Sequence, residues 1–232
     1  MTGTSEAVAV LCSGGLDSVV LVAHEAQTTE VQPIYVAVGL AWEPAERSIL
    51  DRLASTTVFR GRVRPLVTLD MTMRDVYPAS HWAVRGAPPA YDTPDEDVYL
   101  AGRNVVLLSK AAVYCASAGI HRIAIGPLAG NPFPDATPAF FAAMARALSL
   151  GLDHRIDVVA PFGSLHKADV VKIGATLDVP LALSLSCMNP RGGLHCGLCS
   201  KCRERRDAFD EAGVADPTTY AAASPRGSST SS

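Results

Sequence analysis

The chain contains 232 residues, of which 48% are hydrophobic and 19% charged, and its formal net charge is −3 at pH 7. This hydrophobic content supports a full buried core and excludes disorder over most of the chain. The slightly acidic balance argues against a nucleic-acid-binding surface. No apolar run approaches the roughly 18 residues of a membrane span, and residues 1–6 lack the basic start of a secretory signal. We therefore expect a cytoplasmic protein without nucleic-acid or membrane partners.

Apolar runs typical of buried strands alternate with stretches of helical periodicity along the chain. In chain order they predict strand 7–12, helix 18–27, strand 31–38, helix 43–54, strand 64–69, helix 104–118, strand 122–125, helix 138–150, strand 156–160, helix 166–177 and helix 201–212. Pro33 is expected at the start of its strand, where a proline is tolerated. The alternation predicts an α/β fold with a mainly parallel sheet and helices on both faces.

Two segments depart from this alternation. Residues 70–97 contain prolines at 78, 88, 89 and 94 and predict a long irregular excursion, which in a compact domain is more often functional than accidental. Residues 221–232 are mostly Ala, Ser, Pro, Gly and Thr and predict a disordered tail. We therefore expect a single domain over residues 1–220.

The turn between the first strand and the first helix reads Ser13-Gly14-Gly15-Leu16-Asp17-Ser18. Two glycines allow close approach of the backbone, and successive N–H groups at a helix N-terminus bind anions. Asp17 could cap the helix and, beside a polyphosphate, hold Mg²⁺. The pattern differs from both G-x-x-x-x-G-K-[ST] and G-x-G-x-x-G. The alternative interpretation is a strand-to-helix turn that is merely capped by Ser or Asp.

Four of the six cysteines lie close together near the C-terminus with the spacing C-x8-C-x2-C-x2-C. They are Cys187, Cys196, Cys199 and Cys202. Four thiolates at this spacing predict a closed, structural zinc site, and the alternatives are an iron–sulfur cluster or a redox pair. Such a cluster, without a secretory signal, favours a reducing compartment. The remaining cysteines, Cys12 and Cys115, are predicted to be small buried side chains.

The string S-G-G-x-D-S resembles the pyrophosphate loop of the PP-loop ATP pyrophosphatases, and Cys187–Tyr220 resembles the ending of 7-cyano-7-deazaguanine synthases within that superfamily. The resemblance implies a Rossmann-like, adenine nucleotide alpha hydrolase-like fold whose C-terminal helical segment binds zinc through its four cysteines. It also implies that ATP is held by the following residues: Leu11, Cys12, Ser13, Gly14, Gly15, Leu16, Asp17 and Ser18.

Three motifs between residues 103 and 167 extend this resemblance. Arg103 and Asn104 match an arginine–asparagine motif that opens a helix beside the nucleotide, and Lys167 matches a lysine that faces the phosphates. The family pattern thus implies catalytic roles for Asp17 and Lys167. Asp135, in N-P-F-P-D-A-T-P, corresponds to a segment beside the substrate. From the residues alone, the alternatives are a helix cap, a solvated lysine and a turn residue.

The resemblance implies ATP- and Mg²⁺-dependent conversion of 7-carboxy-7-deazaguanine and ammonia to 7-cyano-7-deazaguanine, by an enzyme that could form a homodimer. Two departures from the family pattern leave another carboxylate or amide substrate open: residues 38–43 lack its F-D-Y-G-Q element, and Thr137 lies near the position of a missing arginine. A nucleotide-binding scaffold without catalysis is a further alternative. The basic run Arg203, Arg205 and Arg206 predicts a solvated face, or a contact from Arg203 or Arg206 to a phosphate.

Overall fold

The structure is a computed structural model that describes residues 7–225. Its centre is a five-stranded sheet with the strand order β3-β2-β1-β4-β5, and every neighbouring pair is parallel. The strands are β1 Val8–Leu11, β2 Val31–Ala37, β3 Val67–Asp70, β4 Arg122–Ala124 and β5 Asp157–Val159. The predicted α/β fold with a parallel sheet is therefore confirmed.

Seven helices accompany the sheet in the described part of the chain. They are α1 Leu16–Glu25, α2 Glu43–Leu53, α3 Trp82–Arg85, α4 Arg103–Ala118, α5 Pro138–Leu152, α6 Lys167–Thr176 and α7 Ser200–Ala212. Right-handed crossovers in this strand order place α1 and α2 on one face and α4 and α5 on the other. Helix α6 packs against both α1 and α7. The C-terminal helix therefore joins the layer that contains the first strand-to-helix turn.

The sheet centre is buried on both faces, as the continuous apolar runs predict. All four residues of β1 and all seven of β2 are buried. Pro33 is the third residue of β2, which is the position it holds in the predicted strand 31–38. The ladder between β2 and β3 is interrupted at this point, between the bridge Val31–Val63 and the pair Ile34–Val67. A residue without an N–H is tolerated inside the strand because of this interruption.

The 70–97 excursion and residues 221–225 of the second irregular segment both contact the rest of the domain. The 70–97 excursion contains the single-turn helix α3, and Trp82 in that helix stacks on Trp42 with ring centroids 5.8 Å apart. Of the segment predicted as a tail, residues 221–225 are described, and the N–H of Ala221 donates to the His195 carbonyl over 2.8 Å. Residues 226–232 lie outside the described residues. Between residues 7 and 225, no helix is long and apolar enough to cross a membrane.

Candidate active site

The turn at residues 13–18 occupies the point where the strand order of the sheet reverses. The chain moves from β1 to β2 in one direction and from β3 to β4 in the other, so the ends of β1 and β4 border a crevice. Gly126, just after β4, faces this turn, and a Cβ there would lie 3.9 Å from Asp17. Parallel α/β sheets bind ligands in such crevices.

The backbone of the turn is fixed from three sides. Gly14 has φ +79°, and a side chain there would approach Ile49 to 3.2 Å. Its carbonyl accepts the N–H of Leu185 over 2.8 Å. The Ser18 hydroxyl donates to the Gly15 carbonyl over 2.9 Å. The turn therefore needs glycine at position 14, both for its left-handed backbone and for the close contact with α2.

Helix α1 begins at Leu16 and, within the described chain, no side chain caps its N-terminus. The prediction that Asp17 caps this helix was wrong. Asp17 lies one residue inside the helix, and its carboxylate pairs with Lys167 instead. The first N–H groups of α1 are therefore left for a ligand, and the helix dipole there favours an anion.

A chain of alternating charges crosses the mouth of the crevice. Lys167 Nζ lies 3.2 Å from Asp17 Oδ2 and 2.8 Å from Glu204 Oε1. Lys201 Nζ lies 2.9 Å from Glu204 Oε2 and 3.4 Å from Asp95 Oδ1. The network joins α1, α6, α7 and the excursion. Asp17 Oδ1 has no hydrogen-bond partner within residues 7–225, so one buried acceptor is available to a cation or a donor.

The two carboxylates beside Lys167 keep this lysine charged. Burial alone would lower the pKa of Lys167, but the carboxylates of Asp17 and Glu204 outweigh it and raise that pKa above its usual range. Burial would likewise raise the pKa of Glu204, yet Lys167 and Lys201 lower it to about 2. Lys167 is therefore a cation with only 14% of its side chain exposed, directed at the turn.

Arg103 and Asn104 form the first turn of α4, on the opposite side of the crevice. The N–H of Asn104 donates to Asp135 Oδ2 over 3.1 Å, and its side-chain amide donates to the Asp135 carbonyl over 2.9 Å. Asp135 is buried and stabilises the start of α4. Arg103 Nε is buried and has no hydrogen-bond partner among the described residues. An unpartnered guanidinium N–H beside a crevice is suited to an anion.

A buried carboxyl that the sequence analysis did not single out lies between the turn and Arg103. Glu46 Oε2 accepts the Tyr35 hydroxyl over 2.8 Å, and only 6% of the residue is exposed. Burial raises the pKa of Glu46 to about 7, although Arg103 opposes this rise. The signal for Glu46 was its spacing, because Glu43, Glu46, Leu50 and Leu53 follow one helical stripe.

The segment at 38–43, where the family element is missing, has its own stabilising contacts. Glu43 Oε1 accepts the N–H groups of Val38 and Gly39 over 2.7 and 2.8 Å. Trp42 turns toward the crevice and forms the stacked pair with Trp82. At the other departure, the Thr137 hydroxyl accepts the N–H of Phe140 and caps α5. Both altered segments therefore form ordered structure.

Two adjoining cavities meet at the turn. The first, of about 290 Å³, lies over the ends of β1, β2 and β4 and has an apolar wall that includes Ile34, Val36, Leu107 and Ile125. The second, of about 330 Å³, is bordered by Trp42, Trp82, Glu46, Arg103, Lys167 and Glu204. Both include Ser13, Gly15 and Asp17 in their walls. Each is close to the lower end of the range for small-molecule pockets.

The four cysteines of the C-terminal segment converge, and their ligand atoms all lie within 4.8 Å of one another. Cys202 Sγ lies 3.9 Å from that of Cys196 and 3.6 Å from that of Cys199. Tetrahedral zinc with bonds of about 2.3 Å requires sulfur atoms roughly 3.8 Å apart. Backbone N–H groups also donate to sulfur, such as that of Cys196 to Cys187 over 3.2 Å. The cluster thus fits a tetrahedral thiophilic metal.

The basic run after the last cysteine is not a solvated face, so that prediction was wrong. Arg205 is fully buried and donates to the hydroxyls of Thr218, Ser184 and Ser186 and to the Leu181 carbonyl. Arg206 lies over the Tyr220 ring, 3.7 Å from its centroid, and Arg203 donates to the Thr93 carbonyl. Arg205 therefore joins α7 to the 181–186 loop, Arg206 holds Tyr220 against α7, and Arg203 joins α7 to the 70–97 excursion.

The parallel sheet, the glycine turn at its reversal point and the adjoining cavities define an α/β protein with a candidate ligand site at the carboxyl ends of its strands, and its four-cysteine cluster is compatible with zinc. The model of the family described as queuosine biosynthesis protein QueC matches residues 6–213. The chain belongs to this family, which confirms the resemblance in its sequence.

Several curated relatives named 7-cyano-7-deazaguanine synthase align over nearly the whole chain. One from Methanothrix thermoacetophila is 34% identical and covers 90% of this chain and 96% of its own. One from Methanopyrus kandleri is 33% identical, and the alignment covers 91% of this chain and 97% of the relative. One from Anaeromyxobacter dehalogenans is 35% identical, and the alignment covers 94% of this chain and 98% of the relative. The chain is therefore an enzyme that aligns with these relatives over at least 90% of its length.

Proposed function

We propose that the protein is an ATP-dependent nitrile synthase that converts 7-carboxy-7-deazaguanine and ammonia to 7-cyano-7-deazaguanine. The observation that carries the proposal is the uncapped glycine turn at 13–18 with Lys167 aimed across it, in a chain of the QueC family. An anion site flanked by a buried cation is what a departing pyrophosphate needs.

ATP would span the turn, with its adenosine in the first cavity. The apolar side chains over β2, β4 and α4 suit a purine face, and Arg103 and Asn104 border the same space. The N–H groups from Gly14 to Ser18 would hold the phosphates, and Lys167 would balance their charge. Magnesium at Asp17 would neutralise phosphate oxygens, for which Oδ1 of Asp17 is available.

The deazapurine would occupy the second cavity, beside the scissile phosphate. The indole rings of Trp42 and Trp82 give this cavity a flat wall suited to an aromatic bicycle, and Glu46 and Arg103 offer polar partners. Asp135 would contribute to substrate binding through its effect on the start of α4. The altered 38–43 segment thus supplies an aromatic residue at the place where the family element is missing.

The reaction needs two activations. The substrate carboxylate attacks the α-phosphorus of ATP and expels pyrophosphate, and ammonia then displaces AMP to give the amide and release a proton. The amide oxygen then attacks the α-phosphorus of a second ATP and expels a second pyrophosphate, and loss of AMP and the remaining protons leaves the nitrile. The chain's own residues position the groups and neutralise charge, since the described site needs no nucleophilic side chain for these steps.

The four cysteines would hold a structural zinc, because they fill a tetrahedral shell and leave no open ligand position. All six cysteines are free in the structure, which fits a reducing, cytoplasmic compartment.

The decisive experiment is incubation of the zinc-loaded protein with 7-carboxy-7-deazaguanine, ammonia and Mg-ATP, with mass spectrometry for the nitrile. Lys167→Ala and Asp17→Ala should strongly lower substrate-dependent release of AMP and pyrophosphate, to a small residual rate, without changing zinc content. Lys172→Ala, which removes an exposed lysine from the same helix, is the matched control and should keep full activity. Pyrophosphate release with another carboxylate, and none with the deazapurine, would replace the substrate but keep the chemistry.

A further inference from the structure

Glu204 contacts the lysine of the proposed pyrophosphate site more closely than Asp17 does. Its Oε1 lies 2.8 Å from Lys167 Nζ, against 3.2 Å for Asp17 Oδ2. Its other oxygen lies 2.9 Å from Lys201 Nζ. Glu204 is carried by α7, the helix that also bears Cys202. The second partner of the lysine therefore comes from the four-cysteine segment.

A lysine with a single partner would be poorly positioned in this site. Its ammonium is borne on a flexible four-carbon stem, and fixing such a side chain costs conformational entropy. If Asp17 engages magnesium when nucleotide is bound, the ion pair between Asp17 and Lys167 weakens. The carboxylate of Glu204 then remains to hold the ammonium at the turn, and Lys201 in turn neutralises and orients Glu204.

The helix that carries Glu204 is itself fixed relative to the turn. Arg205, the next residue, donates to the Leu181 carbonyl and to the hydroxyls of Ser184 and Ser186. Leu185, between those serines, donates its N–H to the carbonyl of Gly14. The 181–186 loop thus holds the glycine turn, and α7 holds Lys167 through Glu204. Because Arg205 joins this loop to α7, these contacts together set the distance between the turn and the lysine.

We propose that Glu204 is a positioning residue for phosphate-directed Lys167, and that the metal-binding segment acts on catalysis through this contact. The inference rests on the proposed function, which gives Lys167 its phosphate. It predicts that Glu204 contributes to turnover only while Lys167 is present.

The test is a double-mutant cycle on the zinc-loaded protein with Glu204→Ala, Glu204→Gln, Lys167→Ala and the double variant Lys167→Ala/Glu204→Ala. Glu204→Ala should lower kcat/KM for ATP-dependent pyrophosphate release by up to roughly 100-fold, the scale of a misplaced catalytic group. Glu204→Gln, which keeps the shape and an acceptor, should lose less. In the Lys167→Ala background, removal of Glu204 should cost nothing further. Glu211→Ala, at an exposed position of the same helix, is the matched control.

Zinc content and thermal midpoint are measured for every variant. Wild-type turnover in Glu204→Ala, or the same loss with and without Lys167, would overturn the inference. Loss of zinc in both Glu204 variants would also overturn it, because the residue would then be a structural one. If the wild type forms no nitrile, the proposed function fails, and the same cycle is read from the affinity for a non-hydrolysable ATP analogue with magnesium. A several-fold weakening that disappears without Lys167 would still support the inference.

Discussion

Replacing the buried Glu46 with glutamine should make the stability of the protein less dependent on pH. Burial raises the pKa of this carboxyl from 4.5 to about 7 in the folded chain. The unfolded chain therefore loses the proton of Glu46 at a lower pH than the folded chain does. Between these two pKa values a rise in pH favours the unfolded state increasingly. The stability that the protonated Glu46 contributes is therefore fully present below about pH 4.5 and is lost by about pH 7.

The magnitude follows from the difference between the two pKa values. A shift of about 2.5 units corresponds to about 3 kcal/mol at 1.36 kcal/mol per unit, and about 2.5 kcal/mol of this falls between pH 5 and pH 8. Little of the side chain reaches solvent, since the residue is only 6% exposed. The neutral amide of glutamine can still accept the Tyr35 hydroxyl, so the variant removes the titration and keeps this contact.

The assay is urea unfolding of both proteins, zinc-loaded and at fixed salt, at pH 5, 6, 7 and 8. Subtracting the two free energies cancels every titration that the variants share. The difference should move by about 2.5 kcal/mol in favour of Glu46→Gln as pH rises. Glu211→Gln, an exposed glutamate of α7, serves as the control. A pH-independent difference would refute the argument that burial holds the proton on Glu46.

Three further outcomes follow from the contacts described above. Arg205→Met should lower the free energy of unfolding by about 3–5 kcal/mol, because buried acceptors lose a charged donor; urea unfolding would show it, and an unchanged midpoint would contradict it. Gly14→Ala should lower the free energy of unfolding by about 1–2 kcal/mol because of its left-handed backbone, and it should also weaken the ATP binding that calorimetry measures. Gly61 is also left-handed but has open space around it, so Gly61→Ala should lower the stability without changing ATP binding. Metal analysis should find one zinc per chain, and its removal by chelator should lower the thermal midpoint; Cys196→Ser with full zinc content would count against the site.

The order of strands and helices, the glycine turn and the cysteine cluster could all be predicted from sequence because each has a local signal. A continuous apolar run predicts a buried parallel strand, and the spacing of cysteines predicts a metal site, without knowledge of the tertiary fold. What could not be predicted in this way is why Pro33 is tolerated in its strand. It depends on where the ladder between β2 and β3 is interrupted, which only the pairing of the strands reveals.

The charged residues of the site were harder to predict, because a charge in a sequence is normally read as solvent-exposed. Arg205 lies on the same helical face as Cys202 and Phe209, three residues before it and four after it, and this spacing was the available signal for burial. Lys201 and Glu204 have no such signal. Apart from the local pair between Lys201 and Glu204, their ion pairs join residues that are distant in the chain, so those pairs exist only once α6, α7 and the 70–97 excursion have packed.

The hydrogen bond between Leu185 and Gly14 has a consequence for the order in which the protein is made. The ribosome delivers the glycine turn at residues 13–18 well before Leu185, which supports its backbone. A nascent chain that has finished its fifth strand can assemble the sheet, yet the loop still lacks the partner that holds its carbonyl. The turn would thus become competent for its proposed ligand only when the 181–186 loop and the cysteine-bearing segment after it close onto the sheet.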